Sequence, residues 1–428
     1  MEVREPSFYR CPGGQGHMNP MLQFGRLLAY HGLRPTLVST RYVLSTNMPP
    51  GEPFCVAAIS DGFDAGGIAS CPDMAAYFSQ LAAVGSKTLR ELLLSEAREG
   101  RPVRVLVYDA NLAWVPRVAR AAGVPTGHRG LLPPAVLGAL GIELGPEDVP
   151  PFVAVPELSP ALREMSVGQF DGLKDADDVL VNSVSDMEPK EAKYMESTWR
   201  AKMIGPTLPP FYLDDHRLPS NKSYGFDLFS GDKLCIHWMD GQNIKSVVLV
   251  SYGTFSEYAA AQLEELGNGL CNSGKPFLWV VRCNESHKLS QELKEKCEKK
   301  GLIVSWCPQI AVLAHKASGC FVTHCGWNST LEAIVCGVPI VAIPHWADQP
   351  TIAKYVQSSW GIGVRTQPGE NGWVKRGEID RCIRLVMDGE RKDEYRKNVV
   401  KWIEKAKEAT REGGSSHKNI LEFAAKYS

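Results

Sequence analysis

No apolar run in this chain is long enough to span a bilayer. The longest, Leu131 to Ile142 and Ala333 to Pro344, reach about a dozen residues, against the roughly 20 that a crossing helix needs. Nor is there an excess of charge of one sign. The chain holds 47 basic and 48 acidic residues, a net charge of −1. It therefore lacks the basic stripe of a nucleic-acid binder and any polybasic segment for an anionic membrane. The opening MEVREPSFYR carries four charges and a proline, which does not suit a signal peptide. There are 12 cysteines but no CxxC pair, so reduced core thiols are expected and not disulfides or zinc ligands. The sequons at Asn221, Asn284 and Asn328 are then without consequence, and a cytoplasmic protein is expected. No HxxxH motif or cysteine cluster suggests a metal site. No 20–50-residue period suggests a solenoid.

What is present is an ordinary globular composition. Over 428 residues, 44% are hydrophobic and 22% charged, enough for two or three domains. Short β-rich runs alternate with helical stretches. Strands are expected at Thr36–Thr40, Cys55–Ile59, Val103–Tyr108 and Val179–Asn182, then at Ser246–Ser251, Pro276–Arg282, Leu302–Ser305, Cys320–Thr323 and Pro339–Ile343. They are continuous apolar runs, the pattern of parallel strands covered on both faces. The fold class is therefore α/β with parallel sheets. Prolines 206, 209, 210 and 219 punctuate a stretch without hydrophobic periodicity, which reads as a linker. The expected organisation is a domain over 1–204, a linker over 205–232, a second domain over 233–410 and a terminal helix over 411–428. The terminal helix is expected to pack back on the first domain. Two such domains create a cleft, the usual place for a ligand.

The sharpest feature is the run from Trp306 to Gln349, WCPQIAVLAHKASGCFVTHCGWNSTLEAIVCGVPIVAIPHWADQ. Its centre reads as strand, turn and helix, with the helix opening at Asn328. Such a helix start presents free backbone N–H groups and a positive dipole end, which suits a pyrophosphate. His324, Asn328 and Ser329 add side-chain donors. Glu332, one turn on, can accept from ribose hydroxyls, and Trp306 at a strand end offers a flat face for a base. Asp348 and Gln349 close the next strand–helix junction, where a carboxylate beside a carboxamide suits sugar hydroxyls. The short HCGWNS turn alone would equally fit a capped helix in a plain βαβ unit.

The full run resembles the 44-residue signature of plant family 1 UDP-dependent glycosyltransferases. The matching positions are Trp306, Pro308, Gln309, His324, Gly326, Trp327, Asn328, Ser329, Glu332, Gly337, Pro339, Asp348 and Gln349. The resemblance implies the GT-B arrangement, two Rossmann-like domains facing across a cleft. It implies Trp306 stacked on uracil with Gln309 beside it. His324, Asn328 and Ser329 would hold the diphosphate, Glu332 the ribose, and Trp327, Asp348 and Gln349 the sugar. A closing Gln looks like a glucose-using member. The turn Ser251-Tyr252-Gly253-Thr254 is similar to the family's second phosphate loop. No cofactor or metal is implied, only UDP-glucose as donor and a small acceptor, with no nucleic acid, no membrane insertion and a monomer favoured.

The stretch Gly13-Gly14-Gln15-Gly16-His17-Met18-Asn19-Pro20 does not fit the GxGxxG of dinucleotide-binding oxidoreductases. It looks like the family's QGHxxP motif, whose histidine is the general base. A histidine titrating near 6.5 can take a proton at neutral pH if its other nitrogen is oriented. Asp109, at the end of the strand in VYDANLAW, is the expected partner, since active-site residues of open α/β sheets sit at such strand ends. His31, His128, His216, His237, His287, His315 and His417 match no motif position, and Asp177–Asp178 reads as a solvated turn. The overall sequence is most similar to grass enzymes that glucosylate trichothecene mycotoxins and phenolics. Two stretches depart from the pattern. VREPSFYRC, before the glycine-rich turn, carries a proline and three charges, which do not suit a central strand. GHRGLLPP, after Thr126, has no strand-like run. Without those strands the chain would be a UDP-sugar-binding protein with weak or no transfer, the alternative to an inverting UDP-glucosyltransferase acting on a small apolar metabolite or xenobiotic.

Overall fold

The structure is a computed structural model. It describes residues 6–9, 15–47, 50–71, 73–130, 141–155, 157, 160–170, 173, 176–218, 221–224, 234–253, 258–370 and 372–428. The chain forms two compact units. One comprises Met1–Gly141, Val155–Leu228 and Ala406–Ser428, the other Ile142–Ala154 and Phe229–Lys405.

The first unit is built on seven parallel strands. They are β1 (Pro6–Tyr9), β2 (Thr36–Thr40), β3 (Cys55–Ile59), β4 (Val105–Asp109), β5 (Thr126–Gly130), β6 (Asp178–Val181) and β7 (Ala201–Met203), in the order β3-β2-β1-β4-β5-β6-β7. The period of two along β4 divides its side chains between two covering layers. Val105 and Val107 pack with Met18, Leu22 and Phe24 of the helix Gln15–Tyr30 and with Phe423 and Tyr427 of the last helix, Ser415–Tyr427. Leu106 and Tyr108 pack on the opposite face against Tyr77, Leu81 and Leu89 of the helix Met74–Arg98. Each such aliphatic side chain contributes about 1.5–3 kcal/mol by leaving water, which is why β4 is apolar until its last residue.

The second unit has six strands, β8 (Val247–Ser251), β9 (Phe277–Val280), β10 (Gly301–Val304), β11 (Ser318–Thr323), β12 (Ile340–Ala342) and β13 (Gly363–Arg365), ordered β10-β9-β8-β11-β12-β13 and parallel throughout. Both sheets are Rossmann-like. The first strand of each lies beside the fourth, and the direction of winding reverses there. Ile142–Ala154, which the sequence placed in the first domain, is held within the second unit. Asp148 is 1% exposed and accepts from Arg365 Nη1 (2.5 Å), Lys354 Nζ (3.1 Å) and the Gly145 N–H (2.9 Å). Thr351 Oγ1 donates to its main-chain carbonyl.

Three expectations are corrected. The stretch thought unfit for a central strand forms β1, between β2 and β4. The strand is confined to Pro6–Tyr9, so Glu5 and Arg10 flank it, and the proline stands at its first position, where a missing N–H is tolerated. The segment after Thr126 forms β5, paired on both sides. It escaped notice because its centre is His128-Arg129, two buried polar residues. Asp177 is the exposed bend before β6, but Asp178 is buried and is the first residue of that strand. Asp177 Oδ2 accepts the Thr126 N–H (2.8 Å), and Asp178 Oδ2 accepts from Lys426 Nζ (2.8 Å) and Tyr427 Oη (2.5 Å), tying β6 to β5 and to the last helix.

Candidate active site

Each reversal point carries a cluster of polar residues. In the first sheet, His17 lies in the first turn of the helix Gln15–Tyr30, which follows β1, and Asp109 is the last residue of the adjacent β4. His17 Nδ1 is 2.7 Å from Asp109 Oδ2. The imidazole is 30% exposed and the carboxylate 5%. Burial by itself would push Asp109 up. The charge and hydrogen bond of His17, the Asn111 N–H on Oδ1 (3.0 Å) and the charge of Arg129 outweigh it, and the carboxyl titrates below its ordinary value. An ionised Asp109 can only accept, so the His17 proton is on Nδ1 and Nε2 carries the lone pair. The arrangement is a histidine oriented to take a proton on the nitrogen away from its carboxylate.

Nothing in the residue pattern points to what lies behind this pair. Tyr108 Oη is 3.1 Å from His128 Nδ1, and burial pushes His128 down to about 4 and Tyr108 up. His128 matches no motif position in the sequence. Arg129 is fully enclosed beside Asp109. A charged run in an unrecognised strand offered no periodicity by which to find either.

In the second sheet, β8 ends at Ser251 and β11 at Thr323, side by side in register. His324 follows β11 and is buried. Its imidazole lies in a slot between two glycines. A Cβ on Gly253 would stand 2.7 Å from Nε2, and one on Gly326 2.5 Å from the same atom. Gly253 also has φ +74, where side chains are strained. Burial lowers His324 to about 4, with the Ser251 main chain opposing and His345 and Arg282 adding to the fall. The ring is therefore a neutral donor and not an imidazolium. Cys325 turns the chain through φ +63, and Gly326 opens the helix Trp327–Val335 without a side-chain cap. That helix begins one residue before the expected Asn328. An uncapped helix start with Asn328 and Ser329 in its first turn suits an anion. Trp327 is buried, its ring 6.1 Å from that of Trp360.

One turn on, Glu332 is buried, and Gln309 Nε2 donates to its Oε2 (2.8 Å) and to Ser329 Oγ (3.0 Å). Gln309 opens the short helix Gln309–Leu313 just past β10, and Trp306 is half-buried on the same connection. After β12, Asp348 precedes the helix Gln349–Lys354. Gln349 Oε1 accepts the N–H groups of His345 (2.9 Å) and Trp346 (3.0 Å), which fixes that turn and directs the amide nitrogen away from it. Thr254 lies outside the described residues, as do Gly13 and Gly14. Among the described residues no group of three or more His, Cys, Asp or Glu could hold a metal ion, and no helix is long and apolar enough to cross a membrane.

Residues 233–405 match the family model for UDP-glucoronosyl and UDP-glucosyl transferases. A UDP-glucosyltransferase of Hordeum vulgare subsp. vulgare is 68% identical, the match covering 97% of this chain and 93% of the relative. The crystal structure of Os79 from O. sativa in complex with UDP superposes with TM-score 0.97 at 63% identity, over 99% of this chain and 100% of that one. A further structure of Os79, with UDP and deoxynivalenol-3-glucoside, superposes with TM-score 0.91 at 61% identity, over 99% and 100% of the two chains.

Proposed function

We infer the reaction from a family and a geometry together: the chain belongs to the UDP-glucoronosyl and UDP-glucosyl transferases, and it is a UDP-glucosyltransferase of the GT-B fold acting on small metabolites or xenobiotics. In our reading His17 is the general base, oriented by Asp109. Its Nε2 takes the proton of an acceptor hydroxyl, and the acceptor oxygen attacks the anomeric carbon of UDP-glucose from the face opposite the diphosphate. The C–O bond to UDP breaks as the new one forms, and the product is the inverted glucoside. General-base help of this kind is worth about 10²–10⁴-fold in rate. Ser251, Gly253, Thr254, His324, Gly326, Asn328 and Ser329 hold the diphosphate. Trp306, Gln309 and Glu332 hold the nucleoside, and Trp327, Asp348 and Gln349 the glucose. The helix start at Trp327 stabilises the negative charge that develops on departing UDP, as an oxyanion hole does. No step is given to a metal ion or cofactor.

The observation that carries this reading is the 2.7 Å contact between His17 and Asp109 at the strand reversal. We place acceptor binding on the first unit and donor binding on the second. The complex of Os79 with deoxynivalenol-3-glucoside supports a hydroxyl of a trichothecene-like acceptor, and we place the enzyme, as a monomer, in the cytoplasm. The alternative of a UDP-sugar-binding protein without transfer loses its premise, because β1 and β5 are formed and paired. A UDP-release assay with UDP-glucose and a panel of hydroxylated acceptors tests the reading. His17→Ala should lower kcat by at least 10²-fold with UDP affinity within a few-fold of wild type, and Asp109→Ala should cost less, because water partly orients the imidazole. Near wild-type turnover by His17→Ala on an alcohol acceptor would end the base assignment.

A further inference from the structure

Arg129 stands beside the dyad, and the reaction as described gives it nothing to do. It is the register partner of Asp109 across β4 and β5, and the Ala110 N–H donates to its carbonyl (3.0 Å). Neighbouring parallel strands lie about 4.8 Å apart and register partners share a face, so guanidinium and carboxylate rise from one side of the sheet. Both residues are 4% exposed. Arg129 Nη2 donates to Thr207 Oγ1 (2.9 Å), which in turn donates to Asn182 Oδ1 (2.9 Å). Its Nε is buried with no hydrogen-bond partner, and among the described residues no carboxylate lies within ion-pair distance. A cation enclosed in this way, with a neutral hydroxyl as its contact, is costly unless an opposite charge nearby compensates. The opposite charge in reach is Asp109.

We propose that Arg129 is a positioning residue of the His17–Asp109 pair: its buried charge competes with the imidazole for the Asp109 carboxylate and so sets how strongly His17 holds a proton. The inference rests on the base reading above. A cation behind Asp109 keeps that carboxylate ionised and draws part of its field away from His17, so His17 stays neutral, with Nε2 unprotonated, to lower pH. Among the described residues, Tyr108 and His128, register partners on the opposite face of β4 and β5, carry no charge near neutrality. Burial lowers His128 to about 4 and raises Tyr108. Arg129 itself is drawn down by burial to about 10, Asp109 opposing, and remains a cation. The arrangement extends the pH range of the base downward at the expense of some base strength.

The test is the pH dependence of kcat/KM for wild type, Arg129→Met, Arg129→Gln and Arg129→Lys, with UDP affinity and thermal midpoint measured alongside. The acid limb should move up by about half a pH unit or more in the two neutral variants, the size expected of a unit charge close by in a protein interior. It should stay near wild type in the lysine variant. The glutamine variant keeps a donor for Thr207 and carries the test if the methionine variant does not fold. An unmoved acid limb in a folded neutral variant, or an equal shift in the lysine variant, overturns the proposal. So does a folded lysine variant beside two unfolded neutral ones, which would assign the charge to stability. His17→Ala in the same series separates the two readings, since activity and an acid limb surviving there would mean that His17 is not the base.

Discussion

Gln309 Nε2 lies 2.8 Å from Glu332 Oε2, joining a residue placed beside the base to one placed at the ribose. The two side chains hold each other at the place we propose for the nucleoside.

Removing the Gln309 amide takes one hydrogen bond from the buried Glu332 carboxylate, at about 1–3 kcal/mol. Gln309→Ala should therefore weaken UDP binding by roughly ten- to a hundred-fold, although its amide is only one of several groups at the site. Isothermal titration with UDP measures this. An affinity within two-fold of wild type would show that the contact is incidental.

Gly253 faces His324 so closely that a methyl group would displace the ring. Gly253→Ala adds a Cβ 2.7 Å from Nε2 at a backbone φ of +74, a strain of order 1–3 kcal/mol. UDP affinity should fall about tenfold or more with the fold intact. Circular dichroism beside the titration separates lost binding from lost structure, and unchanged affinity would remove His324 from the diphosphate site.

His324 and His128 are both lowered to about 4 by burial, against about 6.5 unfolded. The unfolded chain then binds more protons between those values, so stability is fully present above about pH 6.5 and is lost as pH falls toward 4. Urea midpoints measured from pH 7.5 to 4.5 should decline across that window, and replacing His128 or His324 with glutamine should flatten the decline. A midpoint constant down to pH 5 would refute the burial argument.

Gln349 has two ends with two tasks. Its oxygen holds the His345–Trp346 turn, so alanine would lose the turn and any sugar contact together. Gln349→Glu keeps an acceptor for those N–H groups and loses the amide donor. It should retain UDP affinity while kcat/KM with UDP-glucose falls by roughly ten- to a hundred-fold. Equal losses for UDP and UDP-glucose would make Gln349 a structural residue.

The second sheet was legible in the sequence because its strands are uninterrupted apolar runs. β8, β11 and β12 appear within two residues of their expected limits, and the signature residues follow them at fixed intervals. β1 and β5 were not legible, for different reasons. β1 is four residues long and bounded by charges, too brief for periodicity to register. β5 buries His128 and Arg129, which a search for apolar runs rejects, and only the partners Tyr108 and Thr207 make them acceptable in a core. The short edge strands β7 and β13, three residues each, escaped notice too. The Gln349 turn and the Gln309–Glu332 bond depend on contacts between separate connections, which spacing alone does not reveal.

Asp148 has a consequence for recombining this enzyme with its relatives. Its carboxylate neutralises Arg365 and Lys354, yet it sits some 200 positions earlier in the chain, while the last helix, Ser415–Tyr427, completes the first sheet's core. A hybrid joined at a single point near residues 205–232 would bring Arg365 and Lys354 of one parent against a loop from another, and would hand the terminal helix to a foreign partner. Donor preference should transfer cleanly only when Ile142–Ala154 travels with the second unit and the final helix stays with the first. That makes the exchangeable modules discontinuous in the gene although each is compact in space.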